Sequence, residues 1–506
     1  MSADFYEHWQ EIKARSVDRD ARMYKVQQIR KGNIDLIAPG LLPDAWPKPV
    51  IANLFRVSAR ESAEMLAPLP SVTCTPLDAA DDTARRRADK RAEIANYYVD
   101  ASRWASNMLT AADQYLTYGF LPYRVEANLT EKRPHIHMDN PIGSYYDRDR
   151  WGRVVAYAQK WREPTVKLAR LFPEHANRIH STAYQSNTVE IVKWYDTDNC
   201  VLFLESNAAV PLAIYRNPIG RCPVAVAELP DLDDDRHGEF DDVVWTYLAR
   251  AYMEMLKLKA ADQAVNAPIA LPEDVQDLAI GPDAIIRSST PEKVRRVGLD
   301  IPNSALVESQ QLDREAQIGA RHPSARTGNI QASIITGKGV EALMGGFDSK
   351  IKAGQTMNAE AMREAIAMAF ELDEAMWPVE KKEVRAVAAG RPYALKYTPG
   401  KDIKGDHTVE VNYGLMAGMD PNHALVFALQ ARGDDLLSRD LVRRNLPFNA
   451  DIAEEERKID IEKMRDALMQ GALGYAQAIP LMAQQGMDPL VPVRSLATAI
   501  QSRRHG

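Results

Sequence analysis

Apolar positions recur at helical intervals through most of the chain. Residues 4–30 are charged with helical spacing, and residues 50–66 carry apolar groups one helical turn apart before Pro68 and Pro70 break the pattern. Both segments read as helices. A longer helical pattern spans 83–117, with Thr83 as its cap and Arg85, Arg86, Arg87, Lys90 and Arg91 in its first turns. Asp89 and Glu93 are interleaved, so these bases read as a solvated helix face. From about 120 to 228 the period shortens to alternation, in Tyr123–Ala127, Val154–Ala158, Val189–Tyr195 and Val201–Leu204. This is a β-rich stretch with some helix, Glu163–Leu171 being its clearest interruption.

A helix is predicted over Glu239–Ala264, about 39 Å at ~1.5 Å per residue. Its packing face is Phe240, Val244, Tyr247, Leu248 and Met255, with Val243, Ala251 and Leu258 alongside. Five prolines between 266 and 302 exclude a helix there, and Ala284–Ile286 and Lys293–Val297 suggest a small excursion with strands. Asn303 opens a returning helix to Ile318. Beyond a polar, glycine-punctuated loop, residues 338–377 form a long helix stopped by Pro378. Strand-like segments follow at 384–397 and 408–413, and the last ninety residues are helical again.

At 506 residues the chain exceeds what one hydrophobic core holds, so two or more units are expected. Apolar residues at 45% and charged residues at 26% describe an ordinary folded chain. No apolar run is long enough for a membrane span, and the N-terminal residues lack a secretion pattern, which points to an aqueous, cytoplasm-like setting. Cys74, Cys200 and Cys222 are too few and too scattered for a disulfide framework, and read as small buried hydrophobes. A net charge of -7 excludes bulk attraction to nucleic acid. Any such contact is local, and one segment offers it. From Ala316 to Val340 there is no acid, while Arg321, Arg326 and Lys338 give +3.

Each candidate catalytic pattern lacks a part that its chemistry needs. A phosphate-binding loop ending at Gly337–Lys338 would need Gly at 332 and a hydroxyl at 339, where Ala332 and Gly339 stand. Asp231, Asp233 and Asp235 have calcium-loop spacing, but Arg236 occupies the glycine position and Asp242 that of the bidentate Glu. His135 and His137 would share one strand face as two metal ligands must, with no third ligand fixed. No nucleophile motif appears, and neither a catalytic residue, a metal nor a cofactor is assigned.

The order of parts, and three segments within it, resemble the portal proteins of tailed bacteriophages, especially those of actinobacteriophages. The segments are Ala325–Asp348 (ARTGNIQASIITGKGVEALMGGFD), Leu437–Pro447 (LSRDLVRRNLP) and Glu454–Lys458 (EEERK). The resemblance implies an α+β portal-type fold, assembled as a ring of about twelve copies. Residues 1–238 with 378–414 would form a mixed wing, 239–265 and 301–320 the stem helices, and 266–300 a small clip. Residues 321–337 would be a tunnel loop, 338–377 a long helix returning to the wing, and 415–506 a helical crown.

It further implies a passage for double-stranded DNA during packaging and ejection, located at one capsid vertex of the virion and built in the host cytoplasm. Implied partners are the terminase large subunit, a head–tail adaptor, the major capsid protein and scaffold, with no membrane and no ATP hydrolysis of its own. Helices ~10 Å wide, about twelve abreast, leave a hole of roughly 28 Å, enough for a duplex. Twelve acidic subunits would total about -84 and resist tight phosphate binding, while Arg321, Arg326 and Lys338 would make a ring of ~36 positive charges. Asn329 and Gln331 would be their neutral partners on the DNA backbone. Two readings compete: a metal-dependent nuclease or other phosphoryl-transfer enzyme using Asp231–Asp235 with His135 and His137, and a head-completion adaptor.

Overall fold

A computed structural model describes residues 4–37, 39, 53–76, 78, 80–182, 187–206, 211–229, 237–265, 269–273, 290–293, 295–296, 303–320, 337–388, 391–413, 458–467 and 469–471. The fold is mixed α+β. Chain contacts divide it into one unit of 1–388 with 392–419, and a second of 389–391 with 420–506. In the second, residues 458–467 and 469–471 are helical.

The N-terminal pattern forms two helices and not one, α1 (Asp4–Arg15) and α2 (Val17–Lys31). They part at Ser16, whose hydroxyl donates to the Ile12 carbonyl at 2.8 Å. Next come α3 (Leu54–Leu66) and β1 (Ser71–Thr73). The 83–117 pattern also divides, into α4 (Asp82–Ala101) and α5 (Trp104–Tyr118), around Arg103 with its φ of 57°. The cap of α4 is Asp81, which accepts from the Thr83 amide at 2.8 Å, so Thr83 is inside the helix. Arg85, Arg86 and Arg87 are exposed as expected. Arg91 is not: it is buried, paired with Asp406 and donating to the Thr75 carbonyl at 3.3 Å.

The β-rich stretch holds β2 (Phe120–Asn128), β3 (Arg133–Met138), β4 (Ser144–Arg148), β5 (Val154–Pro164), β6 (Thr188–Tyr195), β7 (Asn199–Leu204), β8 (Ala213–Arg216) and β9 (Val224–Glu228). Helices α6 (Thr165–Leu171) and α7 (Ala176–Ser181) interrupt it. One sheet runs β3-β2-β9 and the other β4-β5-β6-β7-β8, every neighbour antiparallel. Strand β6 reads VEIVKWY because both its faces are covered. Val192 and Trp194 meet Trp9 of α1, while Val189 and Ile191 meet Leu168 and Ile179 of the small helices.

Further along lie α8 (Val244–Val265), entered through a 3-10 turn at Asp241–Val243, then β10 (Ile269–Ala270) and β11 (Arg295–Arg296). After them come α9 (Asn303–Gly319), α10 (Gly337–Met376), β12 (Lys382–Ala388), β13 (Arg391–Tyr397), α11 (Pro399–Asp402) and β14 (Glu410–Asn412). The helix α10 ends just before Pro378, as its sequence predicts. Strand β14 pairs with β1, joining residues 71–73 to 410–412. The main core lies between α10, α4 and α5 and the inner face of the three-stranded sheet, where Tyr123, Val125 and Ile136 meet Met362, Ile366 and Phe370. Among the described residues no helix is long and apolar enough to cross a membrane.

A cluster on α10 clasps the loop before β14. His407 lies 3.0 Å from Glu374 and 3.6 Å from Glu371, and Arg221 grips both oxygens of Glu371 at 2.8 Å. The hydrogen bond to Glu371, aided by Glu374, raises the His407 pKa above the ordinary imidazole value against the effect of burial. A cation stabilised only in the folded state contributes fully below its unfolded pKa, and that contribution is lost as pH rises through the folded one. The stability gap between wild type and His407→Gln is therefore expected to be widest below about pH 6.5 and to close above the raised value. Urea unfolding across pH measures it, and a gap that widens with pH refutes it.

Candidate functional site

The chain enters the α8–α9 hairpin by a close crossing. A Cβ on Gly119, whose φ is +81°, would stand 2.4 Å from the His237 carbonyl oxygen, and one on Gly238 2.0 Å from that of Thr117. Only glycine lets these backbones meet. The Glu239 amide then donates to the Leu116 carbonyl at 3.0 Å, and the Gly238 amide to the Asp241 carboxylate at 2.9 Å. Buried Glu239 pairs with buried Lys350 of α10, whose ammonium also donates to the Ser62 hydroxyl at 3.3 Å.

Phe240, Val244, Tyr247, Leu248 and Met255 are all buried. Phe55 stacks on Phe240 at 4.8 Å and 19° and touches Tyr247 at 4.8 Å. Val26 and Ile29 of α2 and Ala316 and Ala320 at the end of α9 complete this cluster. Arg250 pairs with Asp313, and Ser309 donates to Glu254 at 2.8 Å, tying the two helices side to side. At the far end β10 pairs antiparallel with β11, Ile269 opposite Arg296. The excursion predicted at 266–300 thus does contain strands; the Ala284–Ile286 run lies outside the described residues.

From the root outward, the hairpin leaves large apolar side chains open to solvent. Trp245 is 64% exposed and Val307 and Ile318 more than 60%, with Tyr252, Leu258 and Leu306 near 40%. Leu258, read as part of the packing face, is among them. Sequence pattern located the inner face and passed over the outer one, whose signal was apolar residues placed off the main stripe.

Arg321, Arg326, Asn329 and Gln331 lie outside the described residues, as do Asp231, Asp233 and Asp235. Lys338 stands in the first turn of α10.

His135 and His137 do share one face of β3, their rings 4.3 Å apart. The cross-strand register sets Glu126 opposite His135 and Arg124 opposite His137. Glu126 lies 3.4 Å from His137 Nε2 but is already taken by Arg124 at 2.6 Å, by Lys193 and by the Tyr195 hydroxyl. Burial opposes its charge, yet Arg124, His137 and Lys193 hold its carboxyl far below the usual range. Burial, His137 and Arg133 push His135 down to about 4. Arg124 also chelates Asp139, which accepts from the Tyr157 hydroxyl at 2.9 Å. These charges neutralise one another at the junction of the two sheets, leaving no cation-accepting set of oxygens. Among the described residues no group of three or more His, Cys, Asp or Glu side chains is arranged to hold a metal.

No protein-family model matches the chain. No curated protein matches it either.

Proposed function

We propose that this protein is a portal-type ring subunit, a structural conduit for double-stranded DNA. The observation that carries the reading is the α8–α9 hairpin, rooted by an aromatic cluster and closed at its tip by β10–β11, with open apolar residues along both helices. Exposed apolar area on a built, ion-paired hairpin is explained by neighbouring copies that cover it. In this reading α8 and α9 are the stem, the excursion between them the clip, and the sheets with α10 the wing. The chain from 415 onward is the crown. Arg321 and Arg326, in the segment between α9 and α10, and Lys338, in the first turn of α10, contact DNA phosphates, with terminase, adaptor and capsid proteins as successive partners.

Negative-stain imaging and light scattering of the purified protein test this. The expected result is a hollow ring of about 680 kDa, twelve times 56.6 kDa. A 56.6 kDa monomer that cleaves DNA with Mg²⁺ would overturn it in favour of the nuclease reading. Neutralising Arg321, Arg326 and Lys338 together is expected to leave ring assembly intact and to change DNA packaging or retention.

A further inference from the structure

We infer that His407 is a proton-operated latch on strand β14: with its proton, the imidazole holds the loop before β14 down on α10, and without it β14 opens from β1 and from the core more often. The latch is independent of the ring reading. It also goes beyond the effect of His407 on global stability, because it acts on one strand and on the chain that follows.

The acids Glu364, Glu371 and Glu374 lie on α10 at spacings of two turns and one. Arg221 takes both oxygens of Glu371 at 2.8 Å and lies 3.7 Å from Glu364. That leaves Glu374 to the loop, where the Gly405 amide donates to each of its oxygens at 3.1 Å and His407 Nε2 stands 3.0 Å away. His407 Nδ1 points back toward Glu371 at 3.6 Å. A cationic imidazole donates from both nitrogens, whereas a neutral one turns a lone pair on one of the two carboxylates. Losing the proton leaves three carboxylates facing one cation, with Glu371 and Glu374 repelling each other one turn apart. The His407 side chain is 26% exposed, so protons reach it from solvent without the loop having to open.

The other charged groups around the loop belong to classes that ordinarily change charge away from the imidazole range. From α4, buried Arg91 pairs with Asp406, and Lys90 holds Asp402 at 2.9 Å. Lys404 is exposed, and Glu410 accepts from the Thr75 hydroxyl beyond the end of β1. Against burial, the Thr408 amide and Arg91 hold Asp406 below the usual carboxylate range, and His407 and Arg221 do the same for Glu371. Burial pushes the neighbouring Cys74 thiol up to about 11. His407 is therefore the group in this cluster that changes charge near neutrality.

Strand β14 is suited to opening by itself. It has three residues and one partner strand, with Glu410 opposite Thr73, Val411 opposite Val72 and Asn412 opposite Ser71. Short edge pairings open locally at far lower cost than the whole fold. Opening draws Val409 and Val411 out of the main core, and it frees from the first unit the strand that runs on toward residue 420, where the second unit resumes. In the open state His407 has an ordinary imidazole pKa; in the closed state Glu371 and Glu374 raise it. Opening is thus rarest below about pH 6.5, grows more frequent as pH rises through the raised value, and then levels off.

Hydrogen exchange of the full-length protein tests this, read by mass spectrometry on peptides covering 405–412 and normalised to the intrinsic rate at each pH. Opening is expected to be at least about threefold more frequent at about pH 9 than at about pH 6, the equivalent of half a pKa unit, and at both values faster than exchange in β6. His407→Gln is expected to open at the high-pH frequency throughout. His407→Arg, which keeps a cation on the acids at either pH, is expected to stay closed throughout. A flat wild-type profile, or a pH dependence that survives in His407→Gln, overturns the latch. So does His407→Arg opening as His407→Gln does, since the shape of the imidazole and not its charge would then be at work. Exchange in 405–412 no faster than in β6 overturns it as well, because β14 would then open only with the whole fold.

Discussion

Asp373→Ala is expected to cost about 3–5 kcal/mol of folding stability, while Asp373→Asn combined with Lys382→Met recovers most of that loss. Asp373 is wholly buried and pairs with buried Lys382. Its other oxygen accepts from the Tyr98 hydroxyl at 2.6 Å and the Tyr397 hydroxyl at 3.1 Å. Burial raises the Asp373 pKa and lowers that of Lys382, so desolvation outweighs pairing at both ends. Removing one partner strands the other charge and two hydroxyls; removing both charges while keeping an amide carbonyl for the hydroxyls leaves only the uncharged amide N–H₂ without a strong acceptor. This pair fastens α4, α10, β12 and β13 together, which is why the single change is severe. Urea unfolding followed by far-ultraviolet circular dichroism measures it. A double variant as unstable as the single one refutes the account.

Phe240→Ala is expected to cost about 3–5 kcal/mol and to abolish ring assembly at concentrations where wild type forms rings. The side chain is fully buried between Phe55 and the α2 helix, at the point where the chain leaves the glycine crossing for α8. Truncation opens a cavity at the hairpin root, where Phe55, which also touches Tyr247 of α8, loses the ring stacked on it. Thermal unfolding gives the stability change, and light scattering gives the assembly state. Phe240→Leu, which keeps most of the volume, is expected to restore assembly; failure of both variants with unchanged stability would place the defect elsewhere.

Much of the fold was legible because the two hydrophobic periods are strong. The alternation in Val189–Tyr195 and Val201–Leu204 falls within β6 and β7, and the predicted 338–377 helix matches α10 to within a residue at each end. The inner face of α8 could be read because i, i+3, i+4 spacing reports burial directly. Helix breaks were not legible. Ser16 and the Ser102–Arg103 corner interrupt continuous helical patterns through backbone conformation and through a hydroxyl meeting a distant amide, Ser102 accepting from Ile136 at 3.0 Å. Strands β4 and β8 escaped because they are short and carry mixed polarity.

The candidate site divides along the same line. The chain's own text specified a hairpin with an apolar stripe, an excursion too rich in proline to be helical, and no phosphate-binding loop, since each depends on residues close together in sequence. Only the tertiary structure decided that Arg124, Lys193 and His137 surround Glu126, and that Arg91 is buried. Those arrangements depend on which strands become neighbours and in what register. Pairing distant segments is settled by the summed burial of many side chains, a quantity that no local stretch of sequence contains.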